Sequence, residues 1–213
     1  MMLFVQNLSA QKILKKSFSS KANRIIVEFD FIDQVEIKTT DTANQVTIIS
    51  KSEDVTSSKI SIEEINDKLF IKSIDHTITG SDIAVIKLSN IRPMYSSYQI
   101  LIPYNMNVDV SIANGNFNSK NFHGNLHLKM EEGTIKMDSF KGEVFININI
   151  GNVLIADIED CSIDVRSNFG RVNSNMELKK DNENHFYGIV GNKKNSLNIN
   201  AILANIHLKS ALN

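Results

Sequence analysis

The sequence predicts an all-β protein: a β-solenoid-like stack of two-strand coils of about 18 residues, preceded by a strand-rich antiparallel region. Three observations predict this class. Residues 24–111 alternate apolar and polar side chains and are rich in β-branched residues. Five of the nine glycines recur at a nine-residue interval, and apolar residues keep fixed positions after each of them. We therefore expect strands throughout, with glycine setting the period of the second half.

Composition limits the functional classes. The chain has 213 residues and is 42% hydrophobic, which is enough to bury a sizeable core. Its 23 Lys and Arg residues nearly cancel its 24 Asp and Glu residues, so no overall charge favours nucleic acid. The single cysteine, Cys161, excludes an intrachain disulfide and a thiolate metal site.

The amino terminus carries a weak export signal. The stretch "MMLFVQNLSAQK" has a short apolar run followed by small residues before Gln11. We expect residues 1–20 to be a leader, the remnant of a signal peptide whose mature product begins near Gln11. The alternative is an ordinary leader without an export role. No apolar stretch of about 20 residues follows, which predicts that the body does not span a membrane.

Residues 21–213 are predicted to form one domain, with a strand-rich part at 21–102 and a glycine-ruled part at 103–213. Asn66-Asp67 predicts a tight hairpin between two strands of the first part. Residues 75–97 predict an irregular excursion with one strand, "IAVIKL". The strands of the first part are "RIIVEFDFI", "QVEIKTT", "NQVTIIS", "SKISIEEI", "KLFIKSI", "SYQILIPY" and "NVDVSI".

The second part is organised by Gly115, Gly124, Gly133, Gly142 and Gly151. Apolar side chains dominate two and four residues after each glycine, which predicts one strand per nonamer with these positions inward. The inward set is Phe117, Leu126, Ile135, Val144 and Val153 at the first position, and Ser119, Leu128, Met137, Ile146 and Ile155 at the second.

A second pattern shows that the full repeat is about 18 residues, twice the glycine interval. Phe122, Phe140 and Ile158 are 18 residues apart, whereas the intervening Glu131 and Asn149 are polar. With one residue inserted near Glu159-Asp160, Cys161 takes a glycine position, Ile163 and Val165 follow inward, and Gly170 and Val172 continue in step. Because glycine tolerates positive φ without a Cβ penalty, we expect Gly115, Gly124, Gly133, Gly142, Gly151 and Gly170 to be structural corners.

Such a repeat has two alternative functional interpretations, a calcium-binding repeat and a carbohydrate-active enzyme. Calcium-binding nonapeptides need G-G-x-G-x-D, and this chain has one glycine per unit and no recurring aspartate. A carbohydrate-active β-helix enzyme needs paired carboxylates. Candidate residues for that role form one local cluster: Asp157, Glu159, Asp160, Asp164 and Arg166. A solvated turn is the favoured interpretation of this cluster.

The remaining candidates predict no catalytic, cofactor or metal site. His123 and His127 lie four apart in a strand, too far for one metal, and the other histidines, His76, His185 and His207, are scattered. "YGIVGNKKNS" lacks the phosphate-loop spacing and predicts a loop or hairpin. Cys161 is expected to be a small corner residue rather than a reactive thiol. Phe145 and Leu154 face outward, and packing against the first half is favoured over a partner-binding patch.

The series "ILIPYNMNVDVSIANGNF", "GNLHLKMEEGTIKM" and "GEVFININIGNVLI" resembles the bacterial putative-adhesin family of the toastrack or head-GIN type. The resemblance covers about residues 24–209, and its specific part lies between Ile100 and Val172. It implies a β-solenoid-like body in an exported or surface-associated domain, with no catalytic residues to carry over. The sequence departs from the pattern at Ala204-Asn205, where a glycine corner is expected, and this puts the last coil in question.

The predicted function is thus a noncatalytic surface or periplasmic interaction domain whose partner is a protein or glycan of the cell envelope, with no cofactor. The alternative is a structural element that self-assembles through its end strands. A carbohydrate-active enzyme is the third hypothesis.

Overall fold

The computed structural model describes residues 12–52, 60–73 and 95–211. Within these ranges thirteen strands form one open mixed sheet, and no helix occurs. The predicted all-β class is therefore confirmed. A search of the same ranges for a helix both long and apolar enough to cross a membrane finds none.

The strands follow one another along the chain with short connections wherever the connection is described. They are β1 Lys12–Ser19, β2 Arg24–Thr40, β3 Gln45–Ser52, β4 Ile60–Ile65, β5 Lys68–Ser73, β6 Ser97–Pro103, β7 Met106–Lys141, β8 Glu143–Ile158, β9 Cys161–Ser167, β10 Val172–Ser174, β11 Lys179–Asn182, β12 His185–Val190 and β13 Asn195–Ser210.

The long strands β2, β7, β8 and β13 pair in parallel, and their register follows the glycines. Leu126 of β7 lies opposite Val144 of β8, an offset of 18 residues, and the same offset places Gly133 opposite Gly151. Residues 18 apart within β7 also meet, since Asn125 Nδ2 donates a hydrogen bond to Asn107 Oδ1 at 3.0 Å. Side chains of like position therefore stack along the sheet.

The two segments of each long strand have different neighbours. The first segment of β2 pairs with β5, which pairs with β4, whereas its second segment pairs with β6, followed by β3 and β1. At the other end, the first segment of β13 pairs with β9, followed by β12 and β11, and its second segment pairs with β10. The sheet thus consists of two ladders, which we call the first and second ladder, joined through the long strands.

The last strand does not follow its predecessors in order. β13 lies between β8 and β9, in parallel register with both, so that Ser196 lies opposite both Glu143 and Ser162. Sequence periodicity predicts that β9 pairs directly with β8, and it does not predict the insertion of β13 between them. Ala204 lies opposite Gly151 and is buried, so an alanine occupies the place where a glycine is expected.

The core is one cluster drawn from both ladders. All ten residues predicted to point inward are buried, and so are Phe122, Phe140 and Ile158. The one hydroxyl among them is satisfied, since Ser119 Oγ donates to the carbonyl oxygen of Ile37 at 2.8 Å. The stacked apolar side chains supply the main stabilisation, at roughly 25 cal/mol per Å² of apolar surface removed from water.

Three left-handed residues recur every 18 residues, which is twice the glycine interval. Asn121, Ser139 and Asp157 have φ values of 50°, 61° and 52°, and each lies directly before a buried residue of the Phe122 series. Asn and Asp adopt this conformation more readily than other non-glycine residues. Glycine spacing alone does not predict these positions, because none of the three residues is a glycine.

The first part of the chain is more mixed than predicted. The hairpin at Asn66-Asp67 is confirmed: β4 and β5 are antiparallel, and both turn residues have positive φ, as a type I′ turn requires. However, β5 and β6 both pair in parallel with β2, so the expected antiparallel arrangement holds only for part of this region. β1 lies inside the range predicted as a leader. Residues 1–11 and the predicted strand "IAVIKL" lie outside the described residues.

Gly133 provides a test of the register. Its φ is +148°, and a Cβ added there would lie 1.7 Å from the carbonyl oxygen of Gly115. We expect Gly133→Ala to lower the free energy of unfolding by about 3 kcal/mol or more, because the clash is with backbone and the conformation is strained. Urea unfolding followed by circular dichroism measures this, with Lys136→Ala as an exposed control in the same strand. Equal unfolding midpoints for Gly133→Ala and wild type would contradict the close backbone approach.

Candidate functional site

A groove lies over the outward side chains of β9, β11 and β12. Alternation in β9 turns Ile163 and Val165 into the core and leaves Asp164 and Arg166 outside. β12 lies antiparallel to β9, which places Tyr187 opposite Asp164 and His185 opposite Arg166. The groove has a volume of about 700 Å³. We call it the β9–β12 groove, and its lining is Ser162, Ile163, Asp164, Lys179, Asp181, His185, Tyr187, Gly188 and Ile189.

His185 joins the two carboxylates of the groove. Its Nε2 lies 3.0 Å from Asp164 Oδ1, and its Nδ1 lies 3.1 Å from Asp181 Oδ2. The side chain is 22% exposed. Because its two ring nitrogens face carboxylate oxygens on two other strands, the imidazole links β9, β11 and β12.

Tyr187 and Arg166 complete the network. The hydrogen bond between Tyr187 and the Asp181 carboxylate raises the pKa of the phenol above its ordinary value, because the phenolate would face an anion. The Tyr187 and His185 rings lie 5.3 Å apart, and Arg166 Nη2 lies 3.4 Å from Asp164 Oδ1. Hydrogen bonds, an ion pair and a ring contact thus fix the side chains of the groove relative to one another. A second recess of about 510 Å³ adjoins His185 on the side of Asn168 and Asn184.

The predicted carboxylate cluster is divided by the fold. Asp164 and Arg166 meet at the groove. Asp160 has another role: its Oδ1 accepts from the Asn192 amide at 2.9 Å, and its Oδ2 pairs with Lys194 at 3.1 Å. The amide hydrogen bond, aided by Lys194, holds the pKa of Asp160 below its ordinary value. Asp160 therefore fixes the loop through which β13 enters between β8 and β9.

The two other members of that cluster have structural positions. Asp157 is one of the left-handed residues, and the Glu159 carbonyl accepts a hydrogen bond from Asn195 Nδ2 at 3.2 Å. The segment "YGIVGNKKNS", predicted as a loop or hairpin, comprises the end of β12, the loop held by Asp160 and the start of β13.

A second row of outward side chains crosses β7 and β8. Arg24 donates to both oxygens of Asp109, and this contact holds the pKa of Asp109 below its ordinary value. His127 Nδ1 lies 3.6 Å from Asp109, and its ring contacts Phe145 edge-on at 5.0 Å. Phe145 is 36% exposed and Leu154 is 37% exposed. The predicted packing of these two residues against the first half is therefore wrong, because they lie on outward faces of β8.

Other sequence candidates have structural surroundings. His123 stacks on Tyr104 with centroids 4.7 Å apart, and burial, followed by the charge of Lys141, lowers the pKa of this histidine. No group of three or more His, Cys, Asp or Glu side chains in the described part of the chain has metal-site geometry. Cys161 is fully buried, and desolvation raises the pKa of its thiol to about 12.

Sequence reasoning missed His185 as a site residue. Its two carboxylate partners are separated from it by 21 residues and 4 residues. Asp181 is close to His185 in sequence, but the two side chains meet only because the chain turns between β11 and β12. The contact with Asp164 depends on the antiparallel pairing of β9 and β12, which no local pattern specifies.

The fold resembles that of a solved bacterial protein. No protein-family model matches the sequence, and no curated protein sequence matches it significantly. A structure described as a "putative cell adhesion protein" from Clostridium sporogenes ATCC 15579 matches with a TM-score of 0.71, covering 94% of this chain and 100% of that chain at 16% identity. The resemblance predicted from the sequence is confirmed at the level of the fold.

A weaker match is to a "putative adhesin" from Bacteroides fragilis NCTC 9343, with a TM-score of 0.38 and 14% identity over 94% of this chain and 98% of that one. A "putative adhesin" from Parabacteroides distasonis ATCC 8503 has a TM-score of 0.32 and 9% identity over 93% of this chain and 98% of that one. At these TM-scores, neither structure supports any conclusion about this chain.

The His185 network predicts a local effect on stability. His185→Ala removes the imidazole that contacts both Asp164 and Asp181, and we expect the free energy of unfolding to fall by about 1–2 kcal/mol. Amide hydrogen exchange in β11 and β12 should accelerate more than exchange in β7. His207→Ala, an exposed change on β13, is the control. Unchanged exchange in β12 would show that the histidine does not link these strands.

Burial of Cys161 predicts an unreactive thiol. We expect the native protein to react with a disulfide reagent at pH 8 at least about a hundredfold more slowly than the protein unfolded in urea, because the thiolate is disfavoured and access is closed. Absorbance of the released thiolate measures both rates. Equal rates in the two states would restore the reactive-thiol hypothesis.

Proposed function

We propose that this protein is a noncatalytic, adhesin-like interaction domain of the bacterial cell envelope. The observation that carries the proposal is the full-length match in fold to the Clostridium sporogenes structure described as a "putative cell adhesion protein". The resemblance of residues 24–209 to the putative-adhesin family points the same way. Because a match in fold does not fix a function, the proposal also depends on the side chains that the surface presents.

The architecture that we propose for this domain is a solenoid-like body of two-strand coils spanning residues 21–213. In it the two ladders face each other across the core, and the chain turns at the structural corners Gly115, Gly124, Gly133, Gly142, Gly151 and Gly170. Positive φ at the first five of these glycines and a single core shared by both ladders support this arrangement. Such a body leaves two extended outer faces for recognition.

The outer side chains suit binding. The core positions are apolar and closely stacked, so sequence variation that alters recognition without disturbing the fold must occur on the outward positions of the strands. These positions carry aromatic, carboxylate, imidazole and carboxamide groups in rows that cross several strands, as at Asp109, His127 and Phe145 and again in the β9–β12 groove.

Self-assembly through end strands is less well supported. Three of the four outermost strands carry adjacent exposed charges: Lys15 and Lys16 on β1, Glu63 and Glu64 on β4, and Lys179 and Lys180, followed by Asp181, on β11. The fourth, β10, has no charged residue. Charged edge strands, lysine-bearing ones above all, are a common device against edge-to-edge pairing. We therefore favour a partner other than a second copy of this chain.

A carbohydrate-active enzyme is also less well supported. Asp160 is engaged by Asn192 and Lys194, and Asp164 is engaged by His185 and Arg166, so each carboxylate already has partners of its own. Both ring nitrogens of His185 face carboxylates, so neither is free to take a proton from a substrate in this arrangement.

Export tests the cellular part of the proposal. We expect cell fractionation to place the native protein in the envelope or periplasm, and amino-terminal sequencing to find a start near Gln11. Size-exclusion chromatography with light scattering of the same material should give a mass that does not rise with concentration. An unprocessed protein in the cytoplasm would contradict the envelope role, and a mass that rises with concentration would favour self-assembly.

A further inference from the structure

The β9–β12 groove has the balanced charge expected of a site for an uncharged ligand. Two of its lining residues, Asp164 and Asp181, are carboxylates. They are opposed by Lys179 in the lining and by Arg166, whose Nη2 lies 3.4 Å from Asp164 Oδ1. A cation gains little from such a balanced surface, and an anion meets the carboxylates directly. A wholly apolar ligand would desolvate charged groups without replacing their hydrogen bonds.

The polar groups of the groove are also fixed before any ligand arrives. His185 is held at both ring nitrogens, and Tyr187 is held through the hydroxyl by Asp181 and through the ring by His185. A ligand therefore does not pay the entropy of ordering these side chains. In the described residues, Asp164 is engaged only through Oδ1, which leaves Oδ2 to accept further hydrogen bonds.

The shape sets the size of the ligand. The volume of about 700 Å³ lies within the range of roughly 300–1,000 Å³ typical of small-molecule sites. Tyr187 is half-buried, and Ile189 extends the apolar surface beside it. The groove thus combines an aromatic and aliphatic platform with carboxylate, ammonium and hydroxyl groups, the last from Ser162 and Tyr187.

We propose that the β9–β12 groove binds a neutral hexose unit of an oligosaccharide. A pyranose ring offers an apolar C–H face for Tyr187 and adjacent hydroxyls that donate to Asp164 while accepting from Lys179. This inference rests on the proposed function and narrows it to glycan recognition, with the groove as the binding site.

The test uses the full chain and three neutral probes: mannotetraose, cellotetraose and tetra-N-acetylchitotetraose. Titration calorimetry and chemical-shift mapping of the labelled protein should detect binding of at least one probe, with shifts centred on His185 and Tyr187. Affinity should change little between low and high salt because the ligand is uncharged. Trigalacturonate and spermidine serve as anionic and cationic comparisons.

Variants locate the site. Tyr187→Ala should lower affinity by at least about tenfold, as expected for an aromatic anchor, whereas Tyr187→Phe should lower it less because the ring is kept. Asp164→Asn should also weaken binding. Tyr104→Ala and Asp138→Asn, exposed residues away from the groove, are the matched controls and should bind as wild type does. Circular dichroism and amide spectra establish that each variant is folded.

The outcomes separate this inference from the proposed function. Binding that survives Tyr187→Ala and Asp164→Asn would overturn the groove as the site. Binding of trigalacturonate or spermidine in place of all three neutral probes would overturn the ligand class. No binding by any probe, in a processed protein recovered from the envelope, would also overturn the inference while leaving the interaction role intact.

Discussion

The structure depends on close contact between stacked glycine backbones. The carbonyl oxygens of Gly115 and Gly133 lie less than 2 Å from where a Cβ of Gly133 and Gly151 would be. At Gly133 and Gly151 no other residue fits without moving the neighbouring strand, whereas the next strand, β13, places Ala204 opposite Gly151. Because a strand slipped by one residue would turn its whole apolar set outward, these contacts and the core they align specify the same register.

Much of this could be predicted from sequence because the relevant signals repeat. Inward positions, the 18-residue offset between β7 and β8 and the hairpin at Asn66-Asp67 each follow from local patterns. The place of β13 could not be predicted, since insertion between β8 and β9 satisfies the same periodicity as addition at the end. The His185 network was missed for a related reason: Asp164 and His185 are brought together by an antiparallel strand that breaks the parallel order.

The two ends of the sheet explain why the parallel body does not simply continue. At one end β3 and β1 extend the second ladder in antiparallel fashion, while β4 closes the first. At the other end β12 and β11 extend the first ladder in antiparallel fashion, and Phe186 and Val190 of β12 pack against the core. A stacked array needs capping strands at its ends, because otherwise the apolar side chains of the last unit would be exposed to water. The same covering brings charged side chains to the outermost strands.

The groove is a consequence of that capping. In the parallel body, like positions stack, so rows such as Asn107 and Asn125 repeat one chemistry from strand to strand. An antiparallel cap has no such repeat and places unlike residues opposite one another, with tyrosine beside aspartate and histidine beside arginine. Specific recognition needs a fixed arrangement of unlike groups. The capped end meets this requirement more fully than the repetitive faces, which is why a specific ligand is best sought there.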